Sequence, residues 1–171
     1  MLYFVYFFSI ILVFAFQTSV LPKILSSNTL PDLALICAFY FGLKMKEQSG
    51  VFLATFIGFV QDCLSGGIFG INTLSKGITG FLAAFLRGFI PMNNAFPLGI
   101  CITLVSILDG ILFYLLSALF AKHEIIQVSL FHSLPIFIFM NLISASILFP
   151  IISKLENLFS KKSQSTINLS P

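Results

Sequence analysis

Residues 58–88 read GFVQDCLSGGIFGINTLSKGITGFLAAFLRG. Apolar, small or uncharged side chains fill nearly all of the stretch, yet Asp62 and Lys76 stand inside it. A charge at the centre of a hydrocarbon layer costs at least about 2.5 to 3.5 kcal/mol on insertion scales, so a charge kept there has a reason. Two apolar helices joined by a glycine-rich turn would account for the pattern, provided the surrounding solvent is lipid.

Composition points to lipid. Of 171 residues, 58% are apolar and 9% charged, with mean hydropathy +1.06, twenty-two phenylalanines and no tryptophan. A soluble core of this size cannot use so much apolar surface. Divided by the roughly 20 residues that cross a bilayer, the length fits five or six crossings. The first run, Leu2–Leu21, lacks a basic leader and a small-residue cleavage site, and so reads as an uncleaved span. After the loop PKILSSNTLPD, in which Pro31 can open the next helix, come two short runs, 32–43 and 50–61. Each crosses only if flanking residues such as Lys44 snorkel or if bilayer and tilt adapt, and the alternative is one re-entrant hairpin. The fourth run, 68–86, carries Lys76; the fifth, 98–120, carries Asp109; the sixth, 128–152, holds His132 and Asn141, with Pro135 a possible kink. The expected division is a polytopic domain over 1–153 and a basic polar tail over 154–171.

Six crossings place Lys44, Lys46, Arg87, Lys154, Lys161 and Lys162 on one side and Lys23 and Lys122 on the other. The positive-inside rule then puts both termini in the cytoplasm, with Asp62 and its glycines near the outer face. Nine basic residues against six acidic ones, scattered singly, give no basic stripe for nucleic acid.

Lys76 lies about eight residues and Asp109 about eleven residues from the outer ends of their runs, depths of roughly 12 and 16 Å at about 1.5 Å per residue. The two are expected to form an ion pair. Such a pair fixes helix register, or it lines a polar cavity. Asn72, Ser75 and Thr79 share a helix face with Lys76 beside them, which marks either a polar interior or ordinary hydrogen-bonded glue between helices. Asp62, before Gly66, Gly67 and Gly70, is placed to cap the following helix, where free backbone N–H groups attract a carboxylate.

Catalytic and cofactor readings fail on spacing. Asp62 near the surface and Asp109 much deeper do not form an aspartyl dyad, and no Gly-x-Gly-Asp occurs. His123 and His132 fall on different elements without a carboxylate or thiol at ligand spacing, and Cys37, Cys63 and Cys101 form neither a metal set nor a disulfide framework. GGIFG lacks the lysine of a phosphate loop, and no Gly-x-Ser-x-Gly is present. No enzyme activity, metal or cofactor is expected.

One resemblance ties these features together. QTSVLP closing the first run, LPDLAL and FYFGLK bounding the second, and GVFLATFIGFVQDCLSGGIFGINTLSKGITGFLAAFLRG resemble MreD, the rod shape-determining membrane protein family of bacteria. Gln17, Pro22, Pro31, Asp32, Gly50, Gly58, Asp62, Gly66, Gly67, Gly70, Gly80 and Arg87 occupy positions that match its pattern. The resemblance implies a non-enzymatic inner-membrane component of the cell-elongation machinery, associated with MreC and through it with MreB, the RodA polymerase and a penicillin-binding transpeptidase. It also implies an all-α bundle of about six transmembrane helices, similar to the substrate-binding subunits of energy-coupling-factor vitamin transporters. Partner-binding or structural roles then fall to Pro31, Asp32, Asp62, Gly66, Gly67 and Gly70. Asn72, Lys76, Thr79 and Asp109 form the candidate intramembrane polar cluster, which in the competing, transporter-type reading lines a small-molecule site.

Overall fold

A computed structural model describes residues 2–24, 30–91, 94–120 and 130–167. All regular structure among them is helical: α1 (Leu2–Ser19), the single turn α2 (Leu21–Ile24), α3 (Leu33–Lys44), α4 (Glu47–Ser65), α5 (Ile71–Leu86), α6 (Ala95–Phe120) and α7 (Leu130–Ile167). Three stretches are long and apolar enough to cross a membrane, Tyr6–Ile24, Ala95–Leu116 and Leu134–Leu155, while α3 and α5 are shorter apolar helices. Their outward faces carry Phe8, Leu12, Phe81, Leu104 and Phe139, all exposed. A surface of that kind is stable against lipid and not against water.

Helix α3 is the centre of the bundle. Every residue from Leu33 to Leu43 is buried, with α1, α4, α5, α6 and α7 arranged around it. Twelve residues rise only about 18 Å, which is short for a helix exposed to lipid but sufficient for one lined by protein. Its apolar residues therefore show no amphipathic face, because every face is an inner one. Helix α1 by contrast buries one stripe, Tyr6, Ile10, Val13 and Phe14, at helical spacing. Tyr6 meets Phe41 of α3 edge-on, ring centroids 5.0 Å apart.

Both ends of α3 are tied. At its start Asp32 is the N-cap, its carboxylate accepting from the Leu35 N–H at 3.1 Å. At its end Arg87, from just beyond α5, donates through Nε to the Leu43 carbonyl at 3.1 Å and through Nη2 to the Gly42 carbonyl at 3.4 Å. Acid at the N-terminus and base at the C-terminus both oppose the helix dipole. Arg87→Met is accordingly expected to destabilise the protein by about 1 to 2 kcal/mol, read as a lowered thermal midpoint of the full chain in detergent.

Helices α4 and α5 are in near backbone contact. A Cβ on Gly58 would collide with the backbone of Asn72 and Thr73, and one on Gly80 with the Cβ of Ala54. These are the small residues that let membrane helices approach closely. Helices α4 and α7 depart furthest from the bounds of the sequence reading. Helix α4 begins at Glu47 and runs through Gln61 to Ser65, because Glu47, Gln48 and Ser49 extend it beyond its apolar centre and the acid suits the first turn. Helix α7 continues to Ile167, past the start of the expected tail. Its 38 residues rise about 57 Å, well beyond the roughly 30 Å hydrocarbon core.

Candidate functional site

The polar residues of the bundle converge at the start of α3. Lys76 of α5, 1% exposed, places Nζ 2.6 Å from Oδ2 of Asp32 and 3.1 Å from Oδ1 of Asp109 on α6. It also donates to the Asn72 side-chain carbonyl at 3.1 Å, so three acceptors surround an ammonium with three N–H bonds. The Ser75 hydroxyl donates to the same Asp109 oxygen. Gln61 Nε2 of α4 lies 3.2 and 3.3 Å from the two Asp32 oxygens.

The network continues into the remaining helices. Asn141 of α7 accepts from the Asp32 backbone N–H at 2.8 Å and donates to the Ser106 hydroxyl of α6 at 3.0 Å. Gln17 of α1 accepts from the Ala34 N–H at 3.2 Å. Each helix longer than one turn thus contributes a polar side chain to one buried hub, and α3 contributes its own N-terminus. In a lipid environment such contacts find no competing water, and they fix which helices meet and in what register.

A second carboxylate organises the turn beside it. Asp62, 3% exposed, accepts from the N–H groups of Gly70 at 2.9 Å, Asn72 at 3.0 Å and Thr73 at 2.9 Å, and from the Thr73 hydroxyl at 2.6 Å. The Asn72 amide donates to it as well, at 3.0 Å. The free donors at the start of α5 thereby find an anion. Gly66 and Gly70 make the intervening turn possible, at φ 63° and 100°, where side chains are strained. Asn72 joins the two carboxylate centres, since its amide reaches Asp62 while its carbonyl accepts from Lys76.

The structure therefore brings Asn72, Lys76 and Asp109 together and adds Asp32, Gln61, Ser75, Ser106 and Asn141. Thr79 is fully buried on α5, and its hydroxyl makes no hydrogen bond among the described residues. Pro31 is buried, and Gly66 and Gly67 lie exposed in the turn. The carboxylates of Asp32 and Asp62, to which the sequence reading gave partner-binding or structural roles, are buried and occupied by donors. Gln61 and Asn141 carried a signal, as amides within or at the edge of apolar runs; Ser106 carried none, because a serine in a membrane helix commonly bonds its own backbone. His123 lies outside the described residues, as does the side chain of His132. Among the described residues no three His, Cys, Asp or Glu side chains gather as a metal site.

The MreD family model, described as rod shape-determining protein MreD, matches residues 1–159. This chain belongs to the MreD family. The match takes in every member of the hub, from Gln17 to Asn141. MreD is a shape-determining family, and membership in it agrees with helices apolar enough to span a membrane. No curated protein and no solved structure matches the chain.

Proposed function

We propose that this MreD-family chain is a scaffold of the bacterial cell-elongation machinery, which maintains rod shape by binding other membrane proteins during side-wall peptidoglycan synthesis. The match to MreD over residues 1–159 carries the reading. In it the chain sits in the inner membrane with six crossings and both termini in the cytoplasm, in an arrangement similar to the substrate-binding subunits of vitamin transporters. Lys44, Lys46, Arg87 and Lys154 cluster where α3 and α5 end, α4 begins and α7 leaves its apolar window, which supports that orientation. The partners are MreC and, through it, MreB, RodA and a penicillin-binding transpeptidase.

A scaffold is favoured over a transporter subunit by the state of the polar stripe. Lys76 and Ser75 are buried and donate to Asp109, and the buried Asn141 bonds Ser106 and the Asp32 backbone, so these side chains hold helices together. Partners in this account meet lipid-facing helix surfaces and short turns, such as the exposed Leu64 and Phe69 beside the Asp62 turn. Depletion in the native host tests the reading. Loss of elongated shape, unrepaired by a vitamin-rich supplement, is the expected result. Unchanged shape with a growth defect cured by one supplement would contradict it.

A further inference from the structure

Asp32, Asp62 and Asp109 are all buried, but their supplies of donors differ. Asp62 collects five N–H and O–H donors at the start of α5. Asp32 has the Lys76 ammonium at 2.6 Å, the Leu35 N–H, the Gln61 amide and the N-terminus of α3, whose dipole favours an anion. Asp109 stands well inside α6, where the backbone N–H groups around it are taken up by the helix itself. Its two donors, Lys76 at 3.1 Å and the Ser75 hydroxyl, both go to Oδ1, and no donor among the described residues reaches Oδ2.

The charge count singles out the same residue. Two carboxylates share the one ammonium of Lys76. Around them α4 brings Gln61, the described side chains of α7 bring Asn141, α1 brings Gln17, and α5 adds Asn72 and Ser75, all of them uncharged. Lys44 and Arg87 stand at the far end of α3. With both acids ionised the hub therefore carries one uncompensated negative charge, in a setting where such a charge is costly. A proton on Oδ2 of Asp109 removes it without breaking a bond, because Oδ1 still accepts from Lys76 and Ser75 while Lys76 and Asp32 remain an ion pair. We propose that the hub is a proton-binding site, which takes up one proton per chain on Asp109. Lys76 touches Asp109 in both states, and its charge couples to the ionised one. This assignment does not depend on the scaffold reading.

The test is infrared spectroscopy of the purified full chain in an ester-free detergent, from about pH 5 to about pH 10, a range in which ordinary carboxylates stay ionised. A protonated carboxylic acid shows a carbonyl band that carboxylates, histidines and thiols do not. The unaltered chain should show the band of one acid per chain, lost toward the alkaline end. Asp109→Asn should lack it. Asp32→Asn should lack it as well, because Lys76 and Asp109 are then a balanced pair, and this separates a site set by charge balance from a carboxyl that is merely buried. If one variant does not fold, the other decides; if neither folds, Asp109→Glu, which keeps the acid, should shift the band. No band in the unaltered chain, a band that survives in folded Asp109→Asn or Asp32→Asn, or one that Asp109→Glu leaves in place would overturn the assignment.

Discussion

Lys76→Met is expected to reduce folded protein in the membrane more than any other single side-chain change in the hub. The substitution keeps length and apolar bulk but removes the one cation that Asp32 and Asp109 share. Removing one partner of a buried charge cluster commonly costs about 3 to 5 kcal/mol, because the charges left behind have neither water nor a counterion. That is a large part of the 5 to 15 kcal/mol by which an ordinary domain is stable, of the order quoted for soluble proteins. A fluorescent fusion or protease resistance in isolated membranes reads the loss. Lys76→Arg is expected to fall between the two, since it keeps the charge but must place a planar fork where an ammonium fits three acceptors. Near-normal abundance of Lys76→Met would mean that the charges do not hold the bundle together.

Asp62→Ala has the second largest expected effect. It leaves three backbone N–H groups, the Thr73 hydroxyl and the Asn72 amide without the carboxylate that gathers them. An ordinary N-cap is worth about 0.5 to 2 kcal/mol, and hydrogen bonds to a charged group somewhat more, so a loss of about 2 to 3 kcal/mol is expected. Asp62→Asn should recover part of it, since one oxygen still accepts while the amide faces other donors. The thermal midpoint of the full chain in detergent distinguishes these, and an unchanged midpoint for Asp62→Ala would contradict the geometry. Because Asn72 also touches Lys76, damage at the turn should reach the hub: Asp62→Ala and Lys76→Met are expected to be less than additive.

These two residues were also the most legible ones. A charge in an apolar run announces itself, and helical rise alone put Lys76 and Asp109 at similar depth. Asp32 was harder, because Pro31 reads as the opening of the second helix and Asp32 as the start of its apolar run. It is a cap, but it also serves as the nearer counterion of Lys76. Nothing in its local sequence reveals that α3 is central, since a short apolar run looks the same whether lipid or protein surrounds it. Helix α7 shows the opposite limit: the change from apolar to polar composition near Lys154 marks where an apolar window ends, and the helix passes through it. Asn141 and Ser106 meet through tertiary packing, which no spacing along the chain encodes.

Direct coupling between Lys76 and Asp109 is the central claim, and a double-mutant cycle measures it. Lys76→Met, Asp109→Asn and the double variant would be compared with the unaltered full chain by thermal or denaturant unfolding in one detergent. Lys76→Met should be less damaging when Asp109 is already neutral, with a coupling of about 1 kcal/mol or more. Additivity within about 0.5 kcal/mol would show that the two side chains do not interact, and the hub described here would then be wrong.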